Sequence, residues 1–276
     1  MIKTAIVTGA SAGIGEAAAV ALSRKSFRVY AVARRAEKMA HLADQGIVPV
    51  SADVTDDASM VALVEKVMAE TGRIDVLVNN AGYGSYGALE EVPMEEARRQ
   101  FDVNVFGLAR LTQLVLPHMR AQDSGRIINV SSVGGRIWEP LGAWYHATKF
   151  AVEGLSDSLR AELRPHGIDV VVIQPGAIKT EWAAISADNL REASSEPAYA
   201  EQVRIGAAVL AKADTVRGAS PPTTVAKTIA KAATSRRPRT RYATGGGARS
   251  VLLMNKLMTD RGWDRGISLA YKSQAK

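Results

Sequence analysis

The chain has 276 residues, 47% of them hydrophobic and 23% charged. That composition suits a folded globular protein and excludes disordered, collagen-like and coiled-coil chains. No apolar run reaches the roughly 18 residues needed to cross a bilayer, and the lack of cysteine removes disulfides, thiolate nucleophiles and cysteine metal sites. The net charge of +7 is uneven: residues 226–276 hold 12 Lys+Arg against only Asp260 and Asp264, while the remainder is slightly acidic.

In chain order, Ile2 to Thr8 reads as a strand, followed by a glycine turn and a helix near Gly13 to Lys25. Phe27 to Ala33 is a second strand and Ile47 to Ser51 a third. Asp56 to Thr71 has helical spacing, with Val61, Val64 and Val67/Met68 on one side. Asp75 to Asn79 is a fourth strand, and Met94 to Met119 a long helical stretch interrupted by Gly107 and Pro117. Arg126 to Ser131 is a fifth strand, Ala143 to Arg164 a helix, and Ile168 to Gln174 a sixth strand. Val225 to Ala233 is helical and Arg241 to Ala243 a short last strand. Runs such as Val170-Val171-Val172-Ile173 suit a sheet covered on both faces.

The alternation predicts an α/β fold, a doubly wound parallel sheet with right-handed crossovers and helices on both faces. Ligands on such a sheet bind beyond the C-terminal strand ends, where the strand order reverses. Residues 1–276 are read as one domain. The polar segment at about 179–222 breaks the rhythm near that crevice and is expected to act as a lid. A basic extension occupies about 245–276, with an amphipathic pattern at Val251, Leu252, Met254, Leu257 and Met258. It is compatible with packing, dimerisation or peripheral membrane contact. Met1 to Ala5 lacks the basic and apolar regions of a secretory signal, so a cytoplasmic address is expected.

Strand 1 runs into Thr8-Gly9-Ala10-Ser11-Ala12-Gly13-Ile14-Gly15. Glycines permit a tight turn and close approach of an anion to the backbone, and the helix that follows offers free N–H groups to a pyrophosphate. The spacing departs from G-x-G-x-x-G. Thr-Gly-x-x-x-Gly-x-Gly instead resembles the short-chain dehydrogenase/reductase family, as do Asn79-Asn80-Ala81-Gly82, Tyr145-x-x-x-Lys149 and Pro175-Gly176, in the same order over roughly residues 1–180. The resemblance implies a Rossmann-like fold of about seven strands, an NAD(P)-dependent oxidoreductase, and assembly as a homodimer or homotetramer.

No Asp or Glu occurs from Phe27 to Ala36, and the second strand ends Val32-Ala33-Arg34-Arg35. An acid there would bond the 2′-hydroxyl of NAD, whereas a cation accommodates the 2′-phosphate of NADP. NADP(H) is therefore favoured over NAD(H), with Arg34 as the main contact and Arg35 or Ser11 in support. The turn residues Gly9, Gly13, Ile14 and Gly15 are the expected pyrophosphate cradle. By resemblance, Asp53 and Val54 flank the adenine, Asn80, Ala81 and Gly82 pass near the ribose, and Pro175, Gly176, Ile178 and Thr180 belong to the nicotinamide end.

Tyr145 and Lys149 are four residues apart and share a helix face. A tyrosine ionises near 10; bringing it to about 7 takes about 4 kcal/mol, which a lysine ammonium and an oxidised nicotinamide together can supply. Tyr145 is the expected general acid in carbonyl reduction and base in alcohol oxidation, and by resemblance Lys149 also bonds the nicotinamide ribose. The resemblance selects Ser132 to orient the substrate oxygen, with Ser131 structural, and Asn104 to complete a proton relay. The four histidines show no ligand spacing, so no metal is expected; His146 is expected to face away from Tyr145. Candidate pocket walls are Tyr83, Tyr86, Gly134, Trp138, Trp144 and Trp182, which suit a sizeable apolar substrate.

The functional expectation is interconversion of a carbonyl and a secondary alcohol on a small molecule, with a loose likeness to the retinol/hydroxysteroid branch. The alternatives are a 3-oxoacyl-thioester reductase, whose acidic carrier would suit the basic end, and a non-catalytic NADP-binding sensor or scaffold. No nucleic-acid partner is expected, because stacking aromatics do not interleave the basic tail.

Overall fold

The computed structural model describes residues 2–194, 197–212 and 218–274. Seven strands form one sheet: β1 (Thr4–Thr8), β2 (Arg28–Ala33), β3 (Val48–Ser51), β4 (Val76–Asn79), β5 (Gly125–Val130), β6 (Ile168–Pro175) and β7 (Arg241–Thr244). The order is β3-β2-β1-β4-β5-β6-β7, and every pair is parallel. The chain leaves β1 in one direction to build β2 and β3, then returns to the far side of β1 for β4. The reversal lies between the C-terminal ends of β1 and β4, where Gly9 and Asn80 follow the two strands.

Alternate residues of each strand face opposite layers. Ala5, Val7, Val76, Val78, Ile128 and Val171 pack with Ala18, Ala19 and Leu22 of α1 (Gly13–Ser23) and Val225, Ala226 and Ile229 of α8 (Pro222–Thr234). Ile6, Leu77, Ile127 and Val170 pack on the other side. There they meet α2 (Asp57–Thr71), α4 (Gly107–Ala121) and the end of α5 (Ala143–Leu163) through Leu63, Val67, Leu111, Val115 and Leu163. Two-sided burial explains why the strand sequences are continuous apolar runs.

The long stretch from Met94 divides differently from the expectation. An α-helix, α3 (Met94–Phe101), passes into a π-turn at Asp102–Phe106 and then into α4. Pro117 sits inside α4 and does not end it. Gly107 opens α4, where a Cβ would strike the Val54 carbonyl.

The 179–222 segment supplies α6 (Trp182–Ala193) and α7 (Ala200–Lys212), with residues 195–196 and 213–217 outside the described part. Ala187, Leu190, Ala207 and Leu210 of these helices form a small apolar cluster with Tyr86 and Tyr145. The basic extension forms α9 (Ala248–Leu257) and α10 (Asp260–Gln274), its last residues 275–276 lying outside the described part. Trp263 of α10 is buried against Trp138, whereas Leu253, Met254, Leu257 and Leu269 are exposed. Among the described residues, no helix is long and apolar enough to cross a membrane.

Candidate active site

One cleft of about 800 Å³ runs over the C-terminal strand ends, from the glycine turn to the lid-side helices. Its first end is tied together by backbone and short side chains. Thr8 Oγ1 accepts the N–H groups of Asn80 and Ala81, each at 3.0 Å, and Asn80 Nδ2 donates to Thr8 O at 3.0 Å. The turn after β1 is thereby fastened to the turn after β4 across the switch point. Gly9 has φ +65°, and a Cβ on it would meet Ala81 at 2.9 Å; a Cβ on Gly15 would collide with the Gly9 carbonyl. Both positions therefore need glycine, and they leave backbone N–H groups facing the cleft at the start of α1.

Of the residues expected to hold a dinucleotide, Gly9, Gly13, Ile14, Arg35, Asn80, Ala81, Gly82, Pro175, Gly176, Ile178 and Thr180 line this cleft. Ser11, Gly15, Arg34, Asp53 and Val54 are not among its lining residues. Gly15 lies behind the turn it shapes, and Arg34 is exposed at the end of β2 beside Arg35. Asp53 Oδ1 instead accepts from Thr55 N and Thr55 Oγ1, at 2.9 and 2.8 Å, and shapes the loop after β3. Glu16 shares the wall with Arg35 and approaches His41 Nε2 at 3.0 Å.

In the middle of the cleft, Ser132, Tyr145 and Lys149 converge. Tyr145 and Lys149 project from successive turns of α5, and Ser132 follows β5. Lys149 Nζ donates to Val130 O at 3.1 Å. Burial pulls its ammonium down to about 8, against the upward pull of Glu153. Burial also pushes the Tyr145 phenol up to about 12, with the Ser132 hydrogen bond drawing it back and the charge of Glu139 adding to the rise. The chain's own groups thus raise this phenol rather than lower it, because a dry surrounding penalises the phenolate more than the neighbouring hydroxyl favours it.

Asn104 lies in the π-turn, and its side chain is fully engaged. Nδ2 donates to Tyr83 O at 2.9 Å and Thr148 Oγ1 at 3.1 Å, and Oδ1 accepts from Tyr83 N at 3.1 Å. It fastens the loop after β4 to α5, one residue before Lys149. Ser131 lines the cleft, but its Oγ is buried beside Gly135 and has no hydrogen-bond partner within the chain.

Of the expected pocket walls, Tyr83, Tyr86, Gly134 and Trp182 line the cleft. Trp138 and Trp144 do not: Trp138 packs on Trp263, and Trp144 on Phe101. His146 corrects the expectation that it faces away. It lines the cleft, its ring meets that of Tyr145 edge-on at 5.6 Å, and it holds Gly134 O and Glu139 N. Ile137, Glu139, Ile185, Val209 and Leu210 also line the cleft and were missed. Only the helix-compatible pattern of residues 179–222 hinted at Ile185, Val209 and Leu210.

The cleft thus joins the glycine turn at the switch point to the Tyr145/Lys149 pair on α5. The short chain dehydrogenase family model matches residues 3–190, and the chain belongs to that family. It is 39% identical over 272 residues to the uncharacterized oxidoreductase YusZ of Bacillus subtilis, covering 95% of this chain and 96% of the relative. The crystal structure of a short-chain dehydrogenase from Streptomyces avermitilis superposes with a TM-score of 0.81 at 36% identity, over 93% of this chain and 92% of that one. Solved relatives bind either dinucleotide. A metagenomic short-chain oxidoreductase in complex with NADP is 29% identical, with a TM-score of 0.69 over 87% and 95% of the two chains. A Burkholderia phymatum enzyme in complex with NAD is 25% identical, with a TM-score of 0.79 over 92% of each.

Proposed function

We propose that this oxidoreductase uses NADP(H) to interconvert a carbonyl and a secondary alcohol on an apolar small molecule, with Tyr145 as general acid and base. The observation that carries the reading is the meeting of Tyr145, Ser132 and Lys149 in one cleft whose far end is the glycine cradle. The residues present fit a dinucleotide. The Gly9–Gly15 turn would hold the pyrophosphate, Arg35 on the cleft wall and the neighbouring exposed Arg34 would hold a 2′-phosphate, and Asn80, Lys149 and the Pro175–Thr180 segment would hold the ribose and nicotinamide. When bound, the nicotinamide supplies or accepts the hydride.

The chain's own residues handle the proton and the oxygen. Ser132 Oγ donates to the substrate oxygen as negative charge grows there, and Tyr145 Oη gives up its proton to the same oxygen. At neutral pH the phenol is protonated and ready for reduction, since its own surroundings raise it to about 12. Lys149 carries its charge below about 8, and a cation beside the phenol favours proton release. Asn104 holds the loop and helix that set Lys149 and, in this reading, completes the relay that returns the proton. Residues 179–222 act as a lid, with Trp182 and Leu210 as its inner surface. One domain carries both halves. The exposed Phe106 and Phe150 offer an apolar face for a second copy of the chain, so light scattering is expected to return a dimer or tetramer.

A panel of apolar ketones and alcohols, followed by nicotinamide absorbance, tests the reading. Turnover with NADPH is expected for apolar ketones; a panel that gives no turnover with either cofactor overturns the assignment.

A further inference from the structure

We propose that the substrate end of the cleft holds a subsite for a cationic, amine-bearing group of the substrate, built on Glu139 and lying beside Tyr145. This rests on the carbonyl–alcohol reading above and narrows it to amino ketones and amino alcohols.

Glu139 lies on the loop between β5 and α5 and lines the cleft with 28% of its side chain exposed. The loop is pinned on three sides. Trp263 Nε1 donates to Trp138 O at 3.0 Å, and Trp138 Nε1 donates to Asp264 at 2.9 Å. The Glu139 N–H donates to His146 Nε2 at 3.2 Å, and Tyr86 Oη donates to the Glu139 carboxylate at 3.2 Å. The carboxylate is therefore a fixed feature of the wall.

What it lacks is a counterion. His146 is the nearest basic group, its Nε2 being 4.0 Å away, but that nitrogen accepts the Glu139 N–H while Nδ1 meets Gly134 O at 2.9 Å. A carbonyl can only accept, so Nδ1 carries the proton and Nε2 is already filled. Among the described residues, no Lys or Arg forms an ion pair with Glu139. The other charged residues of the cleft lie elsewhere: Glu16 and Arg35 at the glycine turn, Lys149 on Val130 O, and Lys179 and Glu181 exposed where the 179–222 segment begins.

A carboxylate half withdrawn from water and met only by a neutral phenol is electrostatically unbalanced. The imbalance bears on the chemistry. Burial raises the phenols of Tyr86, Tyr145 and Tyr271, and the charge of Glu139 adds to the rise in each, which opposes the phenolate that alcohol oxidation needs. A substrate ammonium would offset both effects. The adjoining wall suits it as well. Tyr86, Tyr145 and Trp182 form a continuous aromatic surface with ring centroids 5.3 to 6.1 Å apart, and aromatic faces attract cations.

The test compares a long-chain α-amino ketone, offered as its ammonium salt, with the ketone bearing methyl in place of the ammonium. Wild type is expected to prefer the ammonium ketone by about tenfold or more in kcat/KM, the effect of a charge-assisted hydrogen bond worth about 1.5 kcal/mol or more. In Glu139→Gln, which still accepts from Tyr86, the ratio is expected to fall toward one; Tyr86→Phe, which keeps the charge, is expected to preserve it. The ratio is taken within each variant, so a general loss of activity does not move it. Calorimetric titration of the two product alcohols into wild type and Glu139→Gln supplies a readout independent of turnover. Equal kcat/KM and equal affinity for the charged and neutral members in wild type overturns the subsite and leaves the oxidoreductase reading standing. An ammonium preference in binding with no turnover of either ketone overturns that reading and leaves the subsite. An undiminished preference in Glu139→Gln also overturns the subsite.

Discussion

The two ends of the cleft are built on different principles. The glycine-turn end consists of strand termini and short turns, held by backbone N–H groups that donate to the Thr8 hydroxyl and by glycines whose neighbours leave no room for a side chain. The substrate end consists of side chains from α5, α6, α7 and the β5–α5 loop, brought together by apolar packing. The first arrangement tolerates few substitutions, because each residue serves the backbone path itself. The second tolerates many, because apolar packing of similar volume can be achieved in several ways. One family frame can thus keep its redox chemistry while the substrate end varies.

The sharpest test of this division is Tyr145→Phe, at the junction of the two ends. Turnover of any active carbonyl is expected to fall by about 10²- to 10⁴-fold, the usual contribution of a positioned acid. NADPH affinity, read by fluorescence titration, is expected to stay within about twofold. A variant that keeps a tenth of the turnover would remove the phenol from its assigned role.

Lys149→Met is next in size and separates function from stability. Turnover is expected to fall by about 100-fold, yet the fold is expected to become more resistant to urea at pH 7. The folded-state value of about 8 lies below the reference value of 10.5, so the unfolded chain binds more protons between those limits. Stability contributed by this group therefore rises with pH from about 8 to about 10.5, and the penalty present at pH 7 is of order 3 kcal/mol. In Lys149→Met that slope is expected to disappear. Urea unfolding of both proteins at pH 7 and pH 9.5 checks it, and parallel pH dependences would contradict the burial argument.

The arginines probe the adenosine edge alone. In the proposed reading, Arg34→Glu and Arg35→Glu each lower the NADPH/NADH ratio of kcat/KM by about tenfold or more, because an acid in place of the cation would repel a 2′-phosphate. Unchanged ratios in both variants would remove the two arginines from the choice of cofactor.

The legibility of the sequence follows the same division. The strands, their parallel pairing and the cleft position of Gly9, Asn80, Tyr145 and Pro175 can be read from apolar runs and fixed motif spacing, because strand ends place Gly9, Asn80 and Pro175 by local geometry and the first turn of α5 places Tyr145. The π-turn around Asn104 is not legible, since a helix of either pitch accepts the same residue types. Nor is Pro117, which α4 accommodates near its end. Trp138 illustrates the harder case. Its sequence neighbours suggest a pocket wall, but its partner Trp263 lies 125 residues away, and only the folded chain brings α10 against that loop. Glu139 and His146 were missed for the same reason: what each faces depends on how a loop is pinned from outside the sheet.

The smallest expected effect isolates the substrate end. Leu210 lines the cleft from α7 and is buried with Leu190 and Tyr86. Leu210→Ala removes apolar contacts to the substrate worth about 1 kcal/mol if the lid relaxes around the gap. KM for an apolar ketone is expected to rise threefold to tenfold while kcat holds. The KM for NADPH should stay within twofold, because the glycine cradle and the Thr8–Asn80–Ala81 bonds do not pass through α7. Steady-state kinetics with each substrate varied in turn decide the matter. A matching rise in both KM values would mean that the lid helices and the dinucleotide end move as one unit, and packing outside the sheet would then govern the cradle as well.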